Sequence, residues 1–304
     1  MGDFNNIMVG LDLSTFDKGI INYTRYFNII ARPEKINFVH IQKDLNIPEE
    51  IIEQYPALNE NIENTFIQEM VNETEGSNIV GAELQYYIHK GDPFDILFKQ
   101  ANKKSIDLVI VGKKTKQQDV GGVLPQKIAR KLNTNVLLIP EGIKPQLKKI
   151  LVEVDFSDYS KLALEKAIEL ASNNNAEILC QHVYEVPIGY SKIGKSFEEF
   201  ADLMKKNAEK RYKKFISEID TKDIKVQPVF TLNNHDRICQ KIKEFAEKEN
   251  IDLLVIGARG RTNAASLLLG SVAENIVSAI NKTPLLLVKK KGDLFDFWEA
   301  IKNL

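Results

Sequence analysis

The chain has 304 residues, of which 41 are basic and 42 acidic, so its net charge at pH 7 is −1. This balance gives no general attraction to the phosphates of nucleic acid or to anionic lipid, which excludes both as main partners. Hydrophobic residues make up 43% of the chain and charged residues 27%, which excludes disordered, collagen-like and coiled-coil classes.

Short β-branched apolar runs alternate with amphipathic stretches, a pattern typical of parallel strands that helices cover on both faces. In the first half, a long acidic excursion from about 44 to 80 precedes the third strand. Helices are predicted at 158–172 and 197–218. The strands predicted in the second half are 149–155, 177–184, 225–231, 252–257 and 284–289. Each half is therefore predicted to be a Rossmann-like or flavodoxin-like α/β domain with a mainly parallel five-stranded sheet.

The sequence repeats itself once. The first strand runs into Asp12 in one half and into Asp155 in the other, and the fourth runs into Gly112 and Gly257. The histidines pair in the same way, His40 with His182 and His89 with His235. An accidental resemblance would hardly produce this correspondence.

The repeat predicts two domains, 1–146 and 147–304, joined by a linker within 142–149.

The first seven residues lack the basic and apolar regions of a secretory signal, and no apolar run approaches the roughly 20 residues that span a bilayer. Cys180 and Cys239 form no CxxC pair, so neither a disulfide framework nor a zinc site is predicted. We therefore expect a soluble, cytoplasmic protein with reduced thiols.

A glycine-rich segment follows the fourth strand of the second half. Gly257 and Gly260 leave room for backbone N–H groups to approach a ligand. Gly270-Ser271 then opens a helix whose N-terminus concentrates partial positive charge. Ligands of open parallel sheets bind beyond the carboxyl ends of the strands, where Asp155 also stands. The segment therefore predicts a phosphate site.

The spacing Gly-x2-Gly-x9-Gly-Ser after such a strand, with Asp at the end of the first strand, resembles the universal stress protein family. Because the resemblance spans both halves, the chain resembles a tandem member. The resemblance implies a regulatory protein that binds ATP with Mg²⁺, in which Asp155 holds the ribose or, with Ser271, the metal. It also implies that the main chain at His182 and Val183 contacts adenine.

Arg259 and Arg261 are candidate charge partners of the phosphates, because they flank the second glycine. The residues predicted to contact the nucleotide are Asp155, Val183, Gly257, Arg259, Gly260, Gly270, Ser271 and Val272.

The same residues have purely structural interpretations. Ser271 and Glu274 fit a capping box, so Ser271 could only cap the last helix. Asp155 and Ser157 could cap the helix at 158, and Gly257 could merely end a strand. If these interpretations hold together, the chain is a nucleotide-free interaction scaffold.

The first half departs from the glycine pattern. Thr115 stands at the second glycine position, six residues rather than nine precede Gly122, and Val123 replaces the serine. Valine offers no hydroxyl, and a β-branched residue does not readily take a positive φ that a glycine supplies. We therefore predict that only the second half binds ATP well. The first half, which keeps Asp12 and Gly112, would be a structural or dimerising partner.

A second phosphate motif competes with the first. The segment 189–196 fits the GxxxxGK[ST] pattern of a P-loop, which would make the chain an ATPase or phosphotransferase that uses Lys195 and Asp155. Residues 185–188 separate this segment from its strand, whereas a P-loop leaves its strand directly. The alternatives are a turn capped by Ser196 and an auxiliary role in which Lys195 folds over the nucleotide.

No Ser/His/Asp order, HExxH or CxxC pattern occurs, so we favour a binding protein that at most hydrolyses ATP slowly. His182 and His235, at predicted strand ends, either face the ligand or form structural hydrogen bonds.

Further expectations concern assembly. The tail 290–304 is predicted to be a short amphipathic helix that packs on its own domain, on a neighbouring chain or on a membrane. By the same family resemblance, the last strands, at 136–139 and 285–288, are predicted to pair the two domains and to support a homo-oligomer.

Overall fold

The computed structural model describes residues 4–42, 54, 62–114, 123–234, 237–260 and 269–290. It divides into two units, Met1–Pro145 and Gln146–Leu304. In these described ranges no helix is long and apolar enough to cross a membrane.

The N-terminal unit alternates strands and helices. Its elements are β1 (Asn6–Leu11), α1 (Asp17–Ala31), β2 (Lys35–Gln42), α2 (Ile62–Glu75), β3 (Glu83–Lys90), α3 (Pro93–Lys103), β4 (Leu108–Lys113), α4 (Val123–Lys131) and β5 (Asn135–Pro140).

The C-terminal unit repeats this order and adds a short 3₁₀ helix after its second strand. Its elements are β6 (Lys149–Glu153), α5 (Asp158–Ser172), β7 (Glu177–Glu185), the 3₁₀ helix Tyr190–Ile193, α6 (Phe197–Ser217), β8 (Val226–Asn233), α7 (Ile238–Lys248), β9 (Leu253–Gly257), α8 (Ser271–Ala279) and β10 (Leu285–Val288). The five predicted strands and the two predicted helices all exist, and their ends agree to within two residues.

All strand pairs within each unit are parallel. The order is β3-β2-β1-β4-β5 in the N-terminal unit and β8-β7-β6-β9-β10 in the C-terminal unit. Both correspond to 3-2-1-4-5, the Rossmann-type order, whereas flavodoxin-like sheets run 2-1-3-4-5. The structure therefore selects the Rossmann-like alternative and puts the reversal of strand order between β1 and β4, and between β6 and β9.

The central strands explain the uninterrupted apolar runs of the sequence. Every residue of β5, β9 and β10 is buried, because helices cover both faces of a doubly wound sheet. The third strand of each unit, β3 or β8, is only partly buried, as expected where a sheet ends.

The turn after the first strand is built alike in both units. Leu13 and Phe156 both have left-handed backbone conformations, with φ of 57° and 65°. This conformation is unfavourable for a non-glycine residue and persists where the surroundings fix it. A histidine of the neighbouring strand contributes, because Nδ1 of His40 lies 3.1 Å from the Leu11 carbonyl oxygen and Nδ1 of His182 lies 2.7 Å from that of Val154.

An aspartate before the fourth strand holds the start of the first strand. Oδ2 of Asp252 accepts hydrogen bonds from the backbone N–H groups of Lys148 and Lys149 at 2.7 and 2.9 Å, and its Oδ1 accepts one from the Gln146 amide at 2.6 Å. In the N-terminal unit, Oδ2 of Asp107 accepts from the Asn6 backbone N–H at 2.9 Å. These bonds fix β6 beside β9, and β1 beside β4.

We predict that Asp252→Ala lowers the free energy of unfolding of the C-terminal unit by about 2–4 kcal/mol, because it leaves donors next to a buried residue without an acceptor. Urea unfolding of the full chain, monitored by circular dichroism, measures the decrease in the free energy of unfolding. The control, Asp202→Ala on the exposed face of α6, should change stability by no more than about 0.5 kcal/mol. Equal effects of the two variants would contradict the prediction.

Candidate functional site

A cavity of about 190 Å³ lies at the carboxyl ends of β6 and β9. It stands at the reversal of strand order, where open α/β sheets bind their ligands. Seven of the eight predicted nucleotide-contacting residues line it, namely Asp155, Gly257, Arg259, Gly260, Gly270, Ser271 and Val272. The structure thus brings together residues that are up to 117 positions apart in the sequence.

Lack of space for a Cβ, and not an unusual backbone angle, explains the glycines at Gly257 and Gly260. A Cβ on Gly257 would lie 2.8 Å from the backbone carbonyl of Tyr159 in α5, and one on Gly260 would lie 2.7 Å from Oδ2 of Asp155. At Gly270 the nearest atoms would be 3.5 Å away. None of the three has a positive φ.

The N-terminus of α8 forms one wall of the cavity. Gly270 is the N-cap, and its N–H donates to the Ala258 carbonyl at 2.8 Å, which ties the helix to the turn after β9. The N–H groups of Ser271, Val272 and Ala273 donate to no acceptor in the described part of the chain. A helix N-terminus with free N–H groups attracts anions.

The structure overturns the interpretation of Ser271 as a cap. Helix α8 begins at Ser271, so this residue is the first in the helix and not the N-cap, and no side chain caps the helix. The predicted capping box with Glu274 is therefore absent. The Ser271 side chain is exposed at the cavity.

Asp155 combines a structural contact with a place in the cavity wall. Its Oδ1 accepts hydrogen bonds from the Ser157 backbone N–H at 3.0 Å and from the Ser160 hydroxyl at 3.1 Å. Ser157 is the N-cap of α5 and forms a capping box with Ser160. The helix start predicted from Asp155 and Ser157 thus exists, and it orients the carboxylate so that Oδ2 borders Gly260.

Two polar residues of the cavity wall were not predicted from the sequence, Ser160 and Glu153. Glu153 is the last residue of β6 and is half-buried. Its carboxylate and that of Asp155 bring two negative charges to a cavity that also holds the half-buried Arg259. A sequence feature that could have indicated Glu153 is its charge within an otherwise apolar strand. The corresponding residue of the first half is Gly10.

The side-chain oxygens in this wall suit Mg²⁺ only together with oxygens of a bound molecule such as a nucleotide. The described residues contain no group of three or more His, Cys, Asp or Glu side chains that could hold a metal ion. Mg²⁺ is commonly bound by one or two carboxylates together with substrate phosphates. Asp155, Ser271 and Glu153 fit that role.

The predicted adenine contacts lie next to the cavity and not in its lining. His182 and Val183 belong to β7, which continues to Glu185. The Gln181 carbonyl accepts from the Val154 N–H, so the backbone groups of Val183, two residues later, point to the same side, beyond the end of β6. They remain open there within the described residues.

His182 is a buried structural residue. Besides its bond to Val154, its ring packs 4.3 Å from that of Phe156. Arg211, which the sequence did not indicate, lies 4.7 Å from the Phe156 ring and donates to the Asp155 carbonyl at 3.4 Å. These contacts support the turn that presents Asp155.

The P-loop-like segment does not form a phosphate loop on the strand. Residues 190–193 form the 3₁₀ helix, and Ser196 caps α6 in a reciprocal capping box with Glu199. Lys195 is exposed and absent from the cavity wall. The turn capped by Ser196 is therefore the interpretation that the structure supports.

Several predictions lie outside the described residues. They concern Thr115, Gly122, His235, Arg261 and the tail from 291 to 304. Val123 is the first residue of α4.

The N-terminal unit has a cavity of about 450 Å³ at the corresponding place. Nζ of Lys114 lies 2.7 Å from Oδ2 of Asp12 at its edge. Burial raises the pKa of Asp12, but the hydrogen bonds from Lys114 and Ser14 outweigh it and leave that pKa below its usual value. Asp17 occupies the position of Ser160, and burial, reinforced by the charge of Asp12, raises its pKa to about 7.

We predict that Asp17 makes the N-terminal unit less stable as the pH rises. The folded state holds a proton that the unfolded state releases near pH 3.8, so stability falls between about pH 4 and pH 7 and stays low above it. Denaturant unfolding at pH 4.5 and pH 8 should show a loss of up to about 4 kcal/mol in the wild type. Asp17→Asn should remove most of this loss, and an unchanged pH dependence in the variant would contradict the assignment.

Comparisons with known proteins show the family of the chain. The model of the universal stress protein family matches residues 146–289. Universal stress protein MJ0577 of Methanocaldococcus jannaschii is 30% identical over 160 residues, which are 48% of this chain and 96% of that protein. Universal stress protein MJ0531 of the same organism is 34% identical over 145 residues, 47% of this chain and 82% of that protein.

A solved structure matches almost the whole chain. The match to the universal stress protein from Archaeoglobus fulgidus DSM 4304 covers 96% of this chain and 99% of that protein. Its TM-score is 0.66 and the sequence identity is 18%. At this identity the match shows a common fold.

Proposed function

We propose, from the premise that this chain belongs to the universal stress protein family, that its C-terminal unit binds ATP with Mg²⁺ and that this binding serves a regulatory role in the stress response. The observation that carries the proposal is the set of three backbone N–H groups, at Ser271, Val272 and Ala273, that donate to no described acceptor and border a cavity at the reversal of strand order.

The phosphates would bind at this helix end. Its partial positive charge and free donors suit an anion, and Arg259 adds a cation at the same cavity. Gly260 and Gly270 bring no side chains into the cavity. A cavity of about 190 Å³ is smaller than the roughly 300–1,000 Å³ of whole-ligand sites, which suits the phosphate end of a nucleotide and leaves the base outside it.

The base would lie toward β7, where the open backbone groups of Val183 can bond the edge of adenine. Mg²⁺, when bound with the nucleotide, would neutralise phosphate charge. Asp155 and Ser271 would hold it, and Glu153 would lie next to it. We propose that the unit binds the nucleotide and at most hydrolyses it slowly.

Regulation would follow from occupancy. Contacts with partner proteins would differ between the empty and the nucleotide-bound cavity. Cytoplasmic location, pairing of the two domains and a homo-oligomer stay predictions.

The role of the helix N-terminus is tested with two variants at one position. Ser271→Ala removes only the hydroxyl, whereas Ser271→Pro also removes one N–H group. Proline suits the first position of a helix, and Gly270 before it has φ −71° and ψ 153°, which is compatible with a following proline. Titration calorimetry with ATP and Mg²⁺ should show a loss of affinity of about 10-fold or more for Ser271→Pro beyond that of Ser271→Ala.

Lys195→Ala is the matched control, because this lysine is exposed and outside the cavity. It should leave the affinity unchanged. A large loss in Lys195→Ala with none in Ser271→Pro would favour the P-loop alternative. No saturable ATP binding by folded wild type, freed of co-purified nucleotide, would favour the scaffold alternative.

The two carboxylates predict that binding depends on Mg²⁺. Without the cation, Glu153 and Asp155 repel the triphosphate, so ATP affinity should fall about 10-fold or more in EDTA. In EDTA, Glu153→Gln should bind ATP more tightly than the wild type, because one like charge is gone. The control Glu177→Gln, at the exposed start of β7, should behave as the wild type. Equal wild-type affinity with and without Mg²⁺ would contradict the prediction.

A further inference from the structure

The cavity of the N-terminal unit differs in kind from the one in the C-terminal unit. At about 450 Å³ against about 190 Å³, it lies within the range of pockets that enclose small ligands. Most of its wall is apolar. The side chains that form this wall include Phe16, Ile20, Val39, Leu97, Leu124 and Pro125.

The sequence explains the larger volume. Gly10 stands where the C-terminal unit has Glu153, so this position of the first strand brings no side chain into the cavity. A Cβ on Gly112 would meet the side chains of Phe16 and Ile20, whereas one on Gly257 would meet helix backbone. Side chains thus lie between α1 and β4 and form an apolar wall, while the corresponding helix in the C-terminal unit packs directly on its strand.

One buried polar atom in this wall has no hydrogen-bond partner among the described residues. The side chain of Asp17 is fully buried, with 0% exposure. Its Oδ2 accepts from the Leu13 backbone N–H at 2.6 Å, but its Oδ1 bonds to no described residue. Buried polar atoms are nearly always hydrogen-bonded, and leaving one unpaired is costly. A ligand group at this position would satisfy it.

We propose that this cavity, the apolar pocket, binds an uncharged, mainly apolar small molecule whose hydroxyl or carbonyl group hydrogen-bonds Oδ1 of Asp17. This function is separate from nucleotide binding and does not rest on it.

The charges around the pocket favour an uncharged occupant. Lys114, the cation at the edge, is bonded to Asp12, and an anion would face Asp12, Asp17 and the more distant charge of Glu73. A cation would lose its hydration among apolar walls. Because burial keeps much of Asp17 protonated near neutral pH, its carboxyl group can donate to a carbonyl as well as accept from a hydroxyl.

The test uses two probes that differ by a single hydroxyl group, 2-naphthol and naphthalene, with the full chain at neutral pH. Fluorescence titration should show saturable binding of one 2-naphthol per chain, with an affinity about fivefold or more above that of naphthalene. Asp17→Ser, which installs the residue of the C-terminal unit, should bring the two affinities close together. Excess ATP with Mg²⁺ should not displace the probe.

Two variants fill the pocket from different sides. Leu97→Trp fills it from a buried position in α3, and Leu124→Trp fills it from the half-exposed start of α4, where the risk to folding is small. Both should abolish binding in protein that circular dichroism shows to be folded. Absence of saturable binding to the wild type, equal affinity for both probes, full binding by both tryptophan variants, or displacement by ATP would each overturn the proposal.

Discussion

The parallel pairing of β6 with β9 is the constraint on which the candidate site depends. Because these strands are neighbours in space but first and fourth along the chain, their helices leave to opposite faces and a crevice opens between their carboxyl ends. Asp252 fixes the other end of the pair through three hydrogen bonds. The bond from Gly270 to Ala258 then sets the N-terminus of α8 at the crevice.

The two units show how one fold supports two kinds of pocket. Glu153, Ser160 and Arg259 give the C-terminal cavity charge and hydrogen-bonding groups. The corresponding residues of the other unit are Gly10, Asp17 and Lys114. There Lys114 is bonded to Asp12, and Asp17 is buried with one oxygen that no described residue hydrogen-bonds. Substitutions at the strand ends thus change the chemistry while the turns, the paired histidines and the strand order stay the same.

Much of the fold could be predicted because it rests on local patterns that occur twice. Apolar runs mark strands that are covered on both faces, and the repeat distinguishes them from chance. The strand order could not be predicted in this way, because hydrophobic periodicity does not indicate which strands are neighbours. The sequence was therefore compatible with both the Rossmann-like and the flavodoxin-like order.

The candidate site was predictable where a motif is contiguous and less so where tertiary packing decides. The glycine segment and Asp155 are readable from spacing. Ser160 was missed because its role is to bond a carboxylate across a turn with a left-handed residue at Phe156. The sequence prediction put the N-cap of α8 one residue too late, at Ser271 instead of Gly270. The start of this helix is fixed by the bond from Gly270 to Ala258, and no local sequence pattern indicates that these two residues come together.

The number of ATP molecules bound per chain is the most direct test of this division between the units. Titration calorimetry of the full chain with ATP and Mg²⁺ should give one site per chain, in the C-terminal unit. Two equivalent sites would contradict the distinction between the two cavities, and no site would contradict the nucleotide role of the α8 N-terminus.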